Sequence, residues 1–164
     1  MKNVMIGRLY AMMLAAVVCV GCSEAVSEPA ERNAAAAASV WTEDIEGAFK
    51  TAAAAKKPVF INFTGSDWCY WCKIADKNIF QTKEWAAFSK KVVCLKVDFP
   101  RHGAPDVMTM KKRRDFAEKF SVRGYPTFVL VDAEKKESAR FMAGKKDAAT
   151  FIGEVEAALK DVSR

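Results

Sequence analysis

The spacing of hydrophobic residues changes several times along the chain, and each change predicts an element. Trp41, Ile45, Ala48, Phe49 and Ala52 recur at helical spacing. Thr42 stands where it can cap that helix, Glu43 and Asp44 fall in its first turn, and Pro58 stops it after Lys56 and Lys57. PVFINF, Pro58 to Phe63, is then almost continuously apolar, as expected of a strand covered on both faces in a mostly parallel sheet. Ile74 to Phe80 and Glu84 to Lys90 read as short helices. VVCLKVDF, Val92 to Phe99, is a second strand, and PRHGAP, Pro100 to Pro105, breaks the pattern. Val107 to Phe120 predicts a helix with Met110, Phe116 and Phe120 as its apolar residues. RGYPT, Arg123 to Thr127, is a turn into a third strand, Thr127 to Val131. Ala133 to Lys136 connects it to a returning strand, Glu137 to Met142, which Gly144 ends. Asp147 caps a last helix that aligns Phe151, Ile152, Val155 and Leu159.

Strand–helix–strand units early in this order imply parallel pairing, and the late hairpin implies an antiparallel edge. The expected architecture is α/β: a mixed central sheet flanked by helices on both faces, spanning residues 40–164. No internal repeat is visible.

The segment ahead of that domain has a different pattern. Lys2 and Arg8 precede an apolar run, Leu9 to Val20, shorter than the roughly 20 residues that span a bilayer. Residues 1–21 read as an export signal, with a retained membrane anchor as the alternative. Gly21 followed by Cys22 resembles the lipobox of bacterial lipoproteins, although Cys19 stands where an aliphatic residue is usual. That resemblance implies lipidation at Cys22 and attachment to a membrane in the periplasm or cell envelope, with plain secretion as the alternative. Residues 22–39, rich in alanine and free of aromatics, read as a flexible tether.

Composition adds little to the fold. Of 164 residues, 51% are hydrophobic and 28% charged, with eleven Phe and four Trp, so a core can form without disulfide staples. The net charge of +6 falls to about +4 without Lys2 and Arg8. KKRR, Lys111 to Arg114, lacks interleaved aromatics and reads as a solvated helix face, with no nucleic-acid partner.

The candidate chemistry lies in GSDWCYWCK, Gly65 to Lys73. Cys69 and Cys72 follow a buried strand and open a helix. At that junction the free backbone N–H groups and the helix dipole favour a thiolate on the first cysteine. Cys69 is then the candidate nucleophile, and Cys72, one turn on, the resolving thiol. Zinc needs about four ligands, and Cys94, in an apolar strand, and His102, in a Pro/Gly loop, are poor additions. Haem attachment needs a histidine where Lys73 stands. A permanent structural disulfide remains an alternative.

KPVFINF, WCYWCK and GYPTFVLVD together resemble the thioredoxin superfamily, over roughly Trp41 to Leu159. GSDWCxWC after a KPV strand is similar to exported bacterial thioredoxin-like proteins with Trp before the second cysteine. The resemblance implies a thioredoxin fold and a protein-disulfide oxidoreductase, with a Cys69–Cys72 redox disulfide and neither metal nor other cofactor. It implies a cis Pro126 that leaves the backbone of Tyr125 free for an extended substrate. Trp68, Tyr70 and Trp71 border the reactive sulfur and read as a substrate rim, with packing of Trp71 into the domain as the alternative. Disulfide-containing proteins and a membrane electron donor are the implied partners of a monomer. Asn62 departs from the pattern: it stands where thioredoxin has a buried aspartate, and an amide is no general base. Asp67 is the nearest carboxylate. A thioredoxin-like module that binds chains without turnover is the competing class.

Overall fold

The computed structural model describes residues 40–132 and 134–162. The export-signal, lipidation and tether readings fall on residues 1–39 and lie outside the described residues. Among the described residues five strands form one sheet: β1 (Trp41–Thr42), β2 (Val59–Thr64), β3 (Val93–Asp98), β4 (Thr127–Val131) and β5 (Glu137–Phe141). Their spatial order is β1-β3-β2-β4-β5. β3 runs parallel to β1 and β2, whereas β4 is antiparallel to both β2 and β5. β2 is therefore central. All six of its residues are buried, which explains the near absence of polar alternation in its sequence.

The helices are α1 (Ile45–Ala55), α2 (Tyr70–Ala75), α3 (Lys83–Phe88), α4 (Val107–Lys119) and α5 (Ala148–Val162). α2 continues into a π-helical turn, Asp76–Phe80. Two cores form, one on each sheet face. Ala48, Phe49 and Ala52 of α1 and Phe116 and Ala117 of α4 meet Val59, Ile61 and Phe63 of β2. On the other face Phe60 of β2 meets Ala75 of α2, Ile79 and Phe80 of the π turn, Trp85 and Phe88 of α3, and Phe151 and Val155 of α5. The period-2 alternation of β2 thus feeds both layers.

Two readings of the sequence are corrected. Trp41 is not in the first helix: Trp41 and Thr42 pair with Cys94 and Leu95 as an edge strand. The Trp41 ring stacks on Trp85, 5.8 Å away, on the sheet face opposite α1. Its helical spacing from Ile45 is a coincidence: Trp41 is apolar for one layer and Ile45 for the other. Asp44, not Thr42, holds the N-cap position, and the Thr42 hydroxyl accepts from the Asp44 N–H instead.

The second correction concerns KKRR. Arg113 is only 6% exposed, so the run is not wholly a solvated face. Its guanidinium donates to the Asp98 carbonyl and to Glu43 Oε2, at 2.6 and 2.7 Å. Lys96 Nζ reaches the other Glu43 oxygen at 2.8 Å. Burial alone would raise the Glu43 carboxyl, but the hydrogen bonds and charges of Lys96 and Arg113 outweigh it and hold the group below the usual range. A folded pKa below the unfolded one stabilises the fold above the unfolded pKa, and that contribution is lost as pH falls through the folded value. Glu43→Gln should accordingly lower stability at pH 7 and converge on wild type in acid, below the ordinary glutamate range. Urea unfolding of both proteins at pH 7 and pH 3 checks this; an undiminished gap at pH 3 would remove the ion pair as its cause.

Candidate active site

The cysteine loop leaves the C-terminal end of β2, where Gly65 turns the chain. The Gly65 carbonyl accepts from the N–H groups of Trp68 and Cys69, at 3.3 and 2.8 Å. A side chain at Gly65 would meet the Trp68 ring at 2.4 Å, so only glycine admits the indole here. Cys69 is the N-cap of α2 with extended backbone, φ −78° and ψ 111°. Its sulfur accepts from the Cys72 N–H at 3.2 Å, satisfying one of the helix's free donors. Cys69 and Cys72 form a disulfide with Cα atoms 5.2 Å apart. Both are buried, at 6% and 5% exposure, while Tyr70 and Trp71 between them are 66% and 47% exposed.

Segments distant in sequence hold this loop. Ser66 donates through its N–H and its hydroxyl to the buried carboxylate of Asp98 at the end of β3. The Trp68 indole N–H donates to the Phe99 carbonyl at 2.8 Å. The Arg101 guanidinium lies 4.4 Å over the Trp68 ring, a cation–π contact. Asp67 accepts from the N–H groups of Arg101 and His102. Desolvation opposes ionisation of Asp67, but these N–H donors outweigh it and hold its carboxyl below the usual range. Asp67 is thus occupied in joining two loops.

The Tyr125–Pro126 bond is cis, immediately before β4. The Tyr125 ring meets Trp68 edge-on at 5.8 Å and Phe99 at 5.2 Å. The structure therefore brings Trp68 and Tyr125 together, with Pro126 next in chain, and turns Tyr70 and Trp71 outward. Trp68 is half-buried, with the Arg101 guanidinium over its ring and Tyr125 meeting it edge-on.

Asn62 is buried on β2, in register with Lys96 of β3 and Phe128 of β4. With Cys72, Thr64, Ser66 and Lys96 it lines a cleft of about 470 Å³ beside α2. Asp98 is the residue the sequence reading passed over. Its one local sign was a carboxylate ending an apolar strand; the parallel pairing of Thr64 with Asp98 is what brings it under the loop. Cys94 is a buried free thiol pushed up to about 12 by burial, so it stays protonated at neutral pH. His102 is exposed.

A mixed sheet with a CxxC disulfide at the start of a helix and a cis-proline before an antiparallel strand defines a thioredoxin-fold thiol–disulfide oxidoreductase. The chain belongs to the thioredoxin-like family, whose family model matches residues 40–133. It is 32% identical to the disulfide bond reductase DsbH of Chlamydia pneumoniae over 126 residues, 76% of each chain. It is 28% identical to the thiol:disulfide interchange protein DsbD of Ralstonia nicotianae over 71% of this chain but only 18% of that protein. Among solved structures, a DsbH oxidoreductase superposes with a TM-score of 0.68 at 31% identity, covering 72% of this chain and 83% of that one. The reduced DsbD C-terminal domain of Neisseria meningitidis shares the fold, with a TM-score of 0.56 at 20% identity over 72% of this chain and 98% of that domain.

Proposed function

We propose that this chain is an exported protein-disulfide reductase of the GSDWCxWC type. The observation that carries the reading is the Cys69–Cys72 disulfide at the N-cap of α2, with the Cys72 N–H on the Cys69 sulfur. The same N–H and the helix N-terminus favour a thiolate on Cys69 once the pair is reduced. The Cys69 thiolate attacks a substrate disulfide and forms a mixed disulfide. Cys72 then attacks the Cys69 sulfur, releases the substrate as a dithiol and restores the Cys69–Cys72 bond. No cofactor is needed beyond this pair. Tyr70 and Trp71 offer exposed ring faces to the incoming chain, and the segment at Tyr125 and Pro126 offers backbone.

The reducing direction is supported by similarity to a protein named a disulfide bond reductase. A membrane electron donor would recharge the pair, and lipidation at Cys22, reached by the tether over residues 22–39, would keep the domain at the envelope membrane. A Cys72→Ser chain should trap disulfide-containing partners as mixed disulfides on Cys69, and the pair's reduction potential should lie near about −270 mV, the reductant end of the range. A potential near about −120 mV would mark an oxidant instead. Labelling of wild type but not Cys22→Ser by a clickable fatty acid tests the anchor.

A further inference from the structure

Asn62 raises a problem of hydrogen bonding. It is 8% exposed, and its Oδ1 has no hydrogen-bond partner. Buried carbonyl oxygens are usually paired, and leaving one unpaired is unfavourable. Its cross-strand neighbour Lys96 does not supply the missing donor: its ammonium sits 2.8 Å from Glu43 and makes no bond to the Asn62 oxygen.

Cys72 lines the same cleft. Phe60, two residues before Asn62 and on the same sheet face, packs in one core with Ala75, one helical turn after Cys72. Strand and helix register therefore put Asn62 and Cys72 on the same side of the sheet, in one cleft. In the disulfide the Cys72 sulfur has no hydrogen to donate. Reduction gives it one.

We propose that Asn62 Oδ1 is the acceptor for the Cys72 S–H, a hydrogen bond that exists only in the reduced enzyme and so shifts the pair toward the dithiol. This inference rests on the oxidoreductase reading. The step balances as follows. One thiolate of a donor dithiol attacks Cys69, the donor–Cys69 bond forms, and the Cys69–Cys72 bond breaks. Cys72 leaves with the electron pair and takes a proton. The donor's second thiol then closes the donor disulfide, Cys69 leaves as thiolate, and one proton passes to solvent. Lys73, Asp76 and Lys77 from the α2 side and Lys96 from β3 are the charged groups lining the cleft around this pair. Asn62 does not touch the reacting bond as base or acid; it is a positioning residue that favours one redox state.

The test uses the full chain. Asn62→Leu keeps the side chain's shape without the acceptor. Its equilibrium with dithiothreitol should shift about three- to tenfold toward the disulfide, a potential about 15 to 30 mV more negative. The infrared S–H stretch of reduced Cys72, identified as the band lost in Cys72→Ser, should move to higher frequency in Asn62→Leu, which a merely structural role would not produce. Should Asn62→Leu fail to fold, Asn62→Ala, which adds no bulk, takes its place. An unchanged potential or an unmoved band overturns the inference. If wild type itself does not equilibrate with the dithiol, the oxidoreductase reading falls and takes this inference with it. If wild type equilibrates and the variant matches it, only the inference falls.

Discussion

Cys69→Ser should reduce the rate of disulfide reduction by on the order of 10³-fold or more, to the uncatalysed background. The attacking species is a thiolate, and a serine hydroxyl at the same N-cap is almost never ionised near neutral pH. The helix terminus that stabilises sulfur's charge cannot close so large a gap, since dipole contributions are only about 0.3–2 kcal/mol. The fold should survive, because serine is a good N-cap and can accept the Cys72 N–H as the sulfur does. Circular dichroism and thermal unfolding of the reduced proteins should therefore nearly coincide while turnover with an insulin-type substrate and a dithiol vanishes. If Cys69→Ser retains wild-type acceleration, the oxidoreductase assignment of this pair is lost and the binding-module reading gains.

Phe60→Ala should destabilise the domain by about 3–5 kcal/mol. Phe60 is fully buried, and its ring lies 5.1 Å from Trp85, 6.0 Å from Phe128 and 6.1 Å from Phe151. These partners come from α3, β4 and α5, so the cavity opens where three elements meet and none can close it alone. A typical domain is stable by only about 5–15 kcal/mol, so this loss is a large share of the total. Phe60→Leu, which refills most of the space, should cost much less. The urea midpoints of the reduced proteins decide the matter: a loss below about 1 kcal/mol for Phe60→Ala would mean that the cluster relaxes and Phe60 is not its centre.

The elements that were legible in the sequence share a property. β2, β3 and β4 each carry a largely apolar run, interrupted in β2 by Asn62 and in β3 by Lys96, and α5 carries a stripe, because burial on two faces or one imposes a local pattern. The cysteine pair was legible for the same reason: CxxC directly after such a strand is a local arrangement. Trp41 was misread because a two-residue edge strand is too short to show a period, and its apolar side chain fits a helical pattern equally well. Arg113 was misread because charge predicts solvent unless a partner is known, and its partners Glu43 and the Asp98 carbonyl lie 70 and 15 positions away.

The reach of sequence is clearest at the cysteine loop. Helical and strand periods, turn residues and the spacing of Cys69 and Cys72 were sufficient to derive a mixed α/β domain and a thiol pair at a helix start, since each depends on neighbours within a few residues. Support for that pair depends on strand register and loop closure instead. The parallel pairing of β2 with β3 sets Asp98 under Ser66, the Arg101–His102 backbone against Asp67 and the Phe99 carbonyl at the Trp68 indole, across separations of 31 to 35 residues. The same register leaves the Asn62 oxygen buried without a partner in the cleft with Cys72. Periodicity says which face a side chain takes. It cannot say which group meets it there, because that is settled only when distant segments pack and exclude water.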